Sequence, residues 1–162
     1  MKDILVGESS FDEMRKINAL YIDKTEQIYN NLLKRKGRIY YFFTRPRRFG
    51  KSLLCSTISN LFGGISKKKL FKDLWICNNK VWDFKTENHP VIHLDMSSVA
   101  GANSNANKFE SKVMKKLIRI ALLNKLELPP DIKLNSIKSI FVTLIIELKQ
   151  KYNKKVVIII DE

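Results

Sequence analysis

Between Ile39 and Ser52 the sequence reads IYYFFTRPRRFGKS, an apolar run that breaks into a basic loop and then into the step Gly50-Lys51-Ser52. No other stretch restricts the fold as tightly. Ile39 to Phe43 is too short for a helix and too apolar for a half-exposed strand, so it predicts a fully buried central strand of a parallel sheet. A turn leading from such a strand into a helix aims backbone N–H groups at an anion, and the helix dipole adds partial positive charge there. Gly50 lets the backbone come close, Lys51 reaches the outer phosphates, and Ser52 offers a hydroxyl to Mg²⁺. In the pattern G-x-x-x-x-G-K-[ST] the first glycine position holds Arg45, so the match is partial.

Two neighbours strengthen it. The helix expected after Gly50 carries Leu53, Leu54, Ile58, Leu61 and Phe62 at helical spacing and is stopped by Gly63-Gly64. About a hundred residues later, Val156 to Ile160 form a β-branched run that predicts a buried strand ending in Asp161 and Glu162. Those carboxylates stand where phosphoryl transfer needs them. Asp161 can hold Mg²⁺ through water alongside Ser52, and Glu162 can orient and deprotonate the attacking water. A strand ending in Asp-Glu is common by itself; paired with a strand-GKS-helix it is much more specific. The candidate nucleotide-binding residues are therefore Arg45, Arg48, Phe49, Gly50, Lys51, Ser52 and Leu53, with Ser52 and Asp161 for the metal and Glu162 for catalysis. Arg45, Arg47 and Arg48 carry three readings: steering phosphate, contacting nucleic acid, or pairing with acids at the sheet edge.

Elsewhere the chain supplies scaffold. Phe11, Met14, Ile17 and Leu20 are spaced like one face of a short helix, and residues 1–38 read as N-terminal docking helices. Asp23 can cap a second helix with Glu26 reaching back, Ile28, Leu32 and Leu33 forming its buried face and Gly37 ending it; the rival reading gives Asp23 and Thr25 a nucleotide contact. Lys67 to Lys69 are the solvated face of a short amphipathic helix carrying Leu70, Phe71, Leu74, Trp75 and Ile76. Trp75 and Trp82 read as core, with stacking on a base as the alternative. Val91 to Leu94 predict a second strand leading to Asp95, either a turn-forming residue or a ligand at the sheet's carboxyl edge, and His93 reads as a satisfied core or surface residue. Gly101 to Asn107 form a loop. Two long amphipathic helices follow, one on Phe109, Val113, Leu117 and Ile120, the other on Ile137, Ile140, Phe141, Leu144, Ile145 and Leu148, separated by Pro129-Pro130.

The segments YIDKT (Tyr21 to Thr25), FTRPRRFGKSLL (Phe43 to Leu54), PVIHLDMS (Pro90 to Ser97) and VVIIIDE (Val156 to Glu162) resemble the bacterial AAA-ATPase-like family of P-loop proteins. The resemblance spans essentially the whole chain. It implies an α/β fold, a P-loop NTPase three-layer sandwich with a mainly parallel sheet, of which residues 39–162 are an incomplete core cut off after the Asp161-Glu162 (Walker B) strand. It implies Lys51 and Ser52 in the phosphate and metal roles, Asp161 and Glu162 in the metal and water roles, with ATP and Mg²⁺ as the cofactors. Arg45 fits as well, because an arginine commonly stands at that position in the family. Relatives often carry a PD-(D/E)XK nuclease-like domain further along, so the missing C-terminal part of the ATPase domain or an oligomeric neighbour is an expected partner. ATP hydrolysis is then a property of the intact parent protein, and residues 1–162 alone should turn ATP over poorly.

Charge enters as the rival argument. With 30 Lys and Arg against 16 Asp and Glu the chain carries a net charge of +14, which favours a polyanionic partner and leaves a basic nucleic-acid-binding module with a degenerate phosphate loop as the alternative. Lysine, however, outnumbers arginine, and isoleucine and asparagine are abundant, a bias that AT-rich coding alone produces. A kinase-type phosphotransferase would share the loop, but no acceptor site is legible. Cys55 and Cys77 stand apart from any C-x-x-C pair or histidine cluster, which argues against a disulfide framework or a zinc site. The expectation is a cytoplasmic, non-membrane protein, since no signal core or long aliphatic run is present.

Overall fold

The computed structural model describes residues 3–5, 7–34, 40–44, 46, 48–97, 99, 106–127 and 136–161. The chain divides into two units, Met1–Asn88 and His89–Glu162. In the first, Ser10 caps helix α1 (Phe11–Lys16) by accepting a 3.4 Å hydrogen bond from the Glu13 N–H, while Asp12 and Glu13 in the first turn and Arg15 and Lys16 in the last match the helix dipole. Phe11 and Met14 are buried. Ile17 and Leu20 are not, at 57% and 46% exposure, because the helix stops at Lys16 and Asn18 turns the chain at φ 55. The four-residue stripe expected there is cut in half.

Asp23 ties the next segment down. Its Oδ1 accepts from the N–H and hydroxyl of Thr25 at 2.8 and 2.7 Å, and its Oδ2 accepts from the Trp75 N–H at 2.7 Å. Thr25, fully buried, in turn accepts from the Ile76 N–H at 3.2 Å. Two otherwise orphaned amides at the start of helix α4 (Trp75–Asn78) are thereby satisfied across about fifty residues of sequence. The expected capping box is absent: helix α2 (Thr25–Ile28) starts after Lys24 with no side-chain cap and runs on as a π-helical turn through Tyr29–Leu33.

Helix α3 (Lys51–Leu61) buries Thr57, Asn60 and Leu61. It ends at Phe62, and Gly64 at φ 73 opens a 3-10 helix, Gly64–Phe71; a Cβ there would lie 2.5 Å from Cγ of Asn88. Phe11, Leu61, Phe71 and Ile76, all fully buried, centre the core of this unit. Trp82 belongs to it, donating its indole N–H to the Leu61 carbonyl at 3.3 Å, and Trp75 packs at its margin, so both tryptophans serve packing. The expected amphipathic helix over Leu70 to Ile76 is instead split at Leu74 between the 3-10 helix and α4.

One expectation fails here. Tyr40 to Thr44 joins no sheet among the described residues, and exposure along it alternates: Tyr40 86%, Tyr41 40%, Phe42 89%, Phe43 40%. The period of two that marks a strand survives, but a strand without a ladder partner buries neither face. Tyr41 instead stacks on Phe43 at 6.2 Å and donates its hydroxyl to the Leu32 carbonyl. Ile39 and Gly37 lie outside the described residues.

In the second unit, strands β1 (Val91–Asp95) and β2 (Val157–Asp161) pair in parallel, Val91 beside Val157 through Asp95 beside Asp161. Helices α5 (Ala106–Leu123) and α6 (Ile137–Tyr152) lie on the crossover that a parallel pair requires. Val113, Leu117 and Ala121 of α5 and Ile140, Leu144 and Leu148 of α6 meet Ile92 and Leu94 of β1 in one core. On the same sheet face Ile158 and Ile160 of β2 stay 43% and 64% exposed. The helix layer covers β1 but not β2, which is why the apolar run read as wholly buried is buried only at Ile159 and Asp161. Phe109 is likewise 38% exposed, and Pro129-Pro130 and most of the Gly101–Asn107 loop lie outside the described residues. The architecture is α/β with a small parallel sheet.

Replacing Asp23 with alanine removes a charged acceptor from three donors at once. The expected cost is about 2–3 kcal/mol, read from urea unfolding, with Asp23→Asn losing less because one amide oxygen remains to accept.

Candidate functional site

The loop at Arg48 to Ser52 is shaped by two left-handed residues, Arg48 at φ 66 and Gly50 at φ 73, on either side of Phe49. A non-glycine residue held there marks local strain of the kind that collects at ligand-binding turns. Gly50 is the N-cap of α3 and accepts the first helical bond from the Leu54 N–H at 2.9 Å. No acidic residue sits in the first turn of α3 and no side chain caps it, so its positive end is not neutralised by a carboxylate of that turn. Lys51, Ser52 and Leu53 form that turn and are half-buried, while Arg48, Phe49 and Gly50 are exposed. A Cβ on Gly50 would meet no atom within 4 Å among the described residues, so the backbone there is open. Arg45 and Arg47 lie outside the described residues.

Beside this turn the first unit holds a cavity of about 500 Å³. Gly50, Leu53 and Leu54 line it from α3, the buried Met14, Ile28 and Thr57 lie deeper, and Tyr21 and Phe43 add aromatic surface. Exposed Lys24, Gln27 and Asn31 supply polar groups. Tyr21 stands edge-on to Phe11 at 5.0 Å with its hydroxyl 3.4 Å from that of Thr57, and burial pushes its phenol above the usual range. Asp23 is bonded to Thr25 and Trp75, in a segment whose Tyr21, Ile22 and Lys24 line the cavity. Periodicity offered no sign of the cavity, because its lining comes from four separated segments; the exposed amides at positions 27 and 31, one helical turn apart, were the available clue.

In the second unit Asp161 ends β2, is buried, and lies in register beside Asp95 at the carboxyl ends of both parallel strands. Its backbone carbonyl accepts from the Met96 N–H at 2.7 Å. Asp95 is a turn residue, accepting from the N–H and hydroxyl of Ser97 at 2.9 and 2.6 Å, and those bonds hold its carboxyl below the usual range. His93 has a buried Nε2 with no hydrogen-bond partner among the described residues, and burial lowers its pKa against the opposing pull of Asp161 and Asp95. It is not the satisfied histidine that was expected. Glu162 lies outside the described residues. No group of three or more His, Cys, Asp or Glu side chains able to hold a metal ion occurs among the described residues, and no described helix is long and apolar enough to cross a membrane. Along α5, Asn107, Lys108, Ser111, Lys112 and Lys115 line a shallow, positively charged cleft.

Comparison with known proteins adds a family and little else. A family model described as "Predicted AAA-ATPase" matches residues 5–162. An "Uncharacterized protein in vnfD 5'region" from Azotobacter chroococcum mcd 1 is 33% identical over 113 residues, which is 69% of this chain and 20% of that protein. The chain thus spans about a fifth of the length of the curated relative it matches. No solved structure matches the chain.

The left-handed turn at Gly50 makes its own prediction. Gly50→Ala should destabilise by about 1–2 kcal/mol, and Gly50→Asn by less because asparagine visits that conformation more readily, as chemical denaturation of the two variants will show.

Proposed function

The chain belongs to the AAA-ATPase-like family, and on that footing we propose that it is the ATP-binding part of an ATP-hydrolysing protein with the fold of a P-loop NTPase. The observation that carries this reading is the turn into α3. A left-handed glycine delivers Lys51 and Ser52 into the first turn of an eleven-residue helix whose own first turn contributes no acidic residue. In this reading the backbone of Gly50 to Leu53 receives the phosphates, with Phe49 flanking them. Lys51 neutralises the outer phosphates, and Arg45 and Arg48 add positive charge around them.

Ser52, in the first unit, and Asp161, in the second, each offer an oxygen donor of the kind Mg²⁺ takes beside substrate phosphates and water rather than from an all-protein cage. When bound, the ion would offset charge on the β- and γ-phosphates. Glu162 acts on water: it accepts a proton as the water oxygen bonds to the γ-phosphorus and the bridging bond to the β-phosphate breaks, releasing ADP and phosphate.

A second reading rests on α5, where Lys108, Lys112 and Lys115 line one cleft, and gives the basic chain a nucleic-acid partner. Ionic strength separates the two, since backbone binding falls steeply with salt through counterion release whereas a magnesium-nucleotide site falls much less.

The test is made in the full-length protein. Lys51→Ala should abolish Mg-ATP binding by calorimetry, and an unchanged affinity would sink the phosphate assignment. Glu162→Gln should still bind ATP while turnover drops about 10²–10⁴-fold, the usual cost of removing a positioned base; normal turnover would mean that another acid serves.

A further inference from the structure

Resting on the second reading above and giving it a defined surface, we propose that the outer face of α5 docks the phosphate backbone of duplex DNA and reads its charge rather than its sequence. α5 turns Val113, Leu117 and Ala121 into the core of the second unit. Lys108, Lys112, Lys115 and Arg119, spaced by four, three and four residues, fall together on the opposite side of the helix and are all exposed. Glu110, the one carboxylate of α5, stands off that stripe by helical spacing. The first turn of α5 holds no acidic residue either, so the positive end of the helix dipole adds to the side-chain charge near Lys108. Asn107 and Ser111 share the cleft with Lys108, Lys112 and Lys115 and place uncharged hydrogen-bonding groups beside the cations. Lys112 also donates to the Val99 carbonyl at 3.4 Å and so serves the protein as well as the surface.

A bias toward lysine codons scatters lysines without regard to helical phase, and it does not account for Arg119, the one arginine after Arg48. The spacing suits a regular polyanion. From Lys108 to Arg119 the helix rises roughly 16 Å, about the axial span of five phosphates on one strand of a duplex. Single-strand binders add aromatic rings on which bases stack, whereas Phe109, the one aromatic residue of α5, lies off the stripe. Contacts to phosphate carry no sequence information, so unrelated duplexes bind alike.

The test follows the anisotropy of a short labelled DNA duplex bound by the full-length protein at several salt concentrations. It compares wild type with the double variants Lys115→Ala/Arg119→Ala and Lys115→Arg/Arg119→Lys, and thermal melts check that both fold. Each phosphate contact adds about 0.9 to the slope of log affinity against log salt, so the alanine pair should lower that slope by about 2 while the charge-conserving pair keeps it. An unaltered slope in an alanine variant that still binds duplex would overturn the assignment to α5 and leave a nucleic-acid partner for another surface. Wild-type protein that ignores duplex DNA, or binds only phosphatidylserine vesicles, would overturn the assignment and the second reading together. A single strand held more tightly than the duplex would overturn the choice of partner. Mg-ATP affinity measured without DNA should match wild type in both variants; a parallel loss in the alanine pair would assign these cations to the nucleotide and overturn the proposal.

Discussion

The carboxylate of Asp23 is the fixed point of the first unit. It gathers the Thr25 amide and hydroxyl and the Trp75 amide, and Thr25 passes the link on to Ile76. Hydrogen bonds to a charged acceptor are roughly twice as strong as neutral ones, and these tie together two segments about fifty residues apart in sequence. Tyr21, Ile28 and the π-helical turn after α2 stand where they do because of that lock. The cavity beside Gly50 exists only while those residues keep their positions. Within that segment Tyr21, Ile22 and Lys24 line the cavity, while Asp23 is bonded to Thr25 and Trp75.

The second unit depends on something different. β1 and β2 form a two-stranded parallel pair supported by α5 and α6, and Ile92 and Leu94 use up the helical cover, leaving Ile158 and Ile160 with much of their surface in water. Asp95 and Asp161 come side by side at the carboxyl ends because parallel strands in register end together. That end of an open α/β sheet is where ligands gather, since helices start there and strand carbonyls finish there. One of the two carboxylates is absorbed in a turn with Ser97, and the other is buried beside a histidine that has no partner for its inner nitrogen among the described residues.

Legibility tracked locality. The stripe of α6 and the Gly50-Lys51-Ser52 helix start were readable because each is set by residues within a few turns. β1 was readable because Pro90 bounds a short, mostly aliphatic run. Failures came where a partner elsewhere in the chain decides the outcome. Tyr40 to Phe43 has the composition of a buried strand, but a strand is made by its neighbour. Ile17 and Leu20 continue a helical stripe on paper, and one left-handed asparagine ends it. Asp23 and Glu26 have capping-box spacing, yet the amide of Trp75, distant in sequence, claims the aspartate. The helix start at Gly50 could be read from its own residues; the cavity beside it could not.

A nucleotide held at the first turn of α3 is the central claim, and hydrogen–deuterium exchange of the full-length protein with and without Mg-ATP tests it most directly. Mg-ATP should slow exchange in peptides covering Phe49 to Leu54, because ligand contacts reduce local opening where they form. Protection absent from that stretch, or found only along the basic face of α5, would contradict the account.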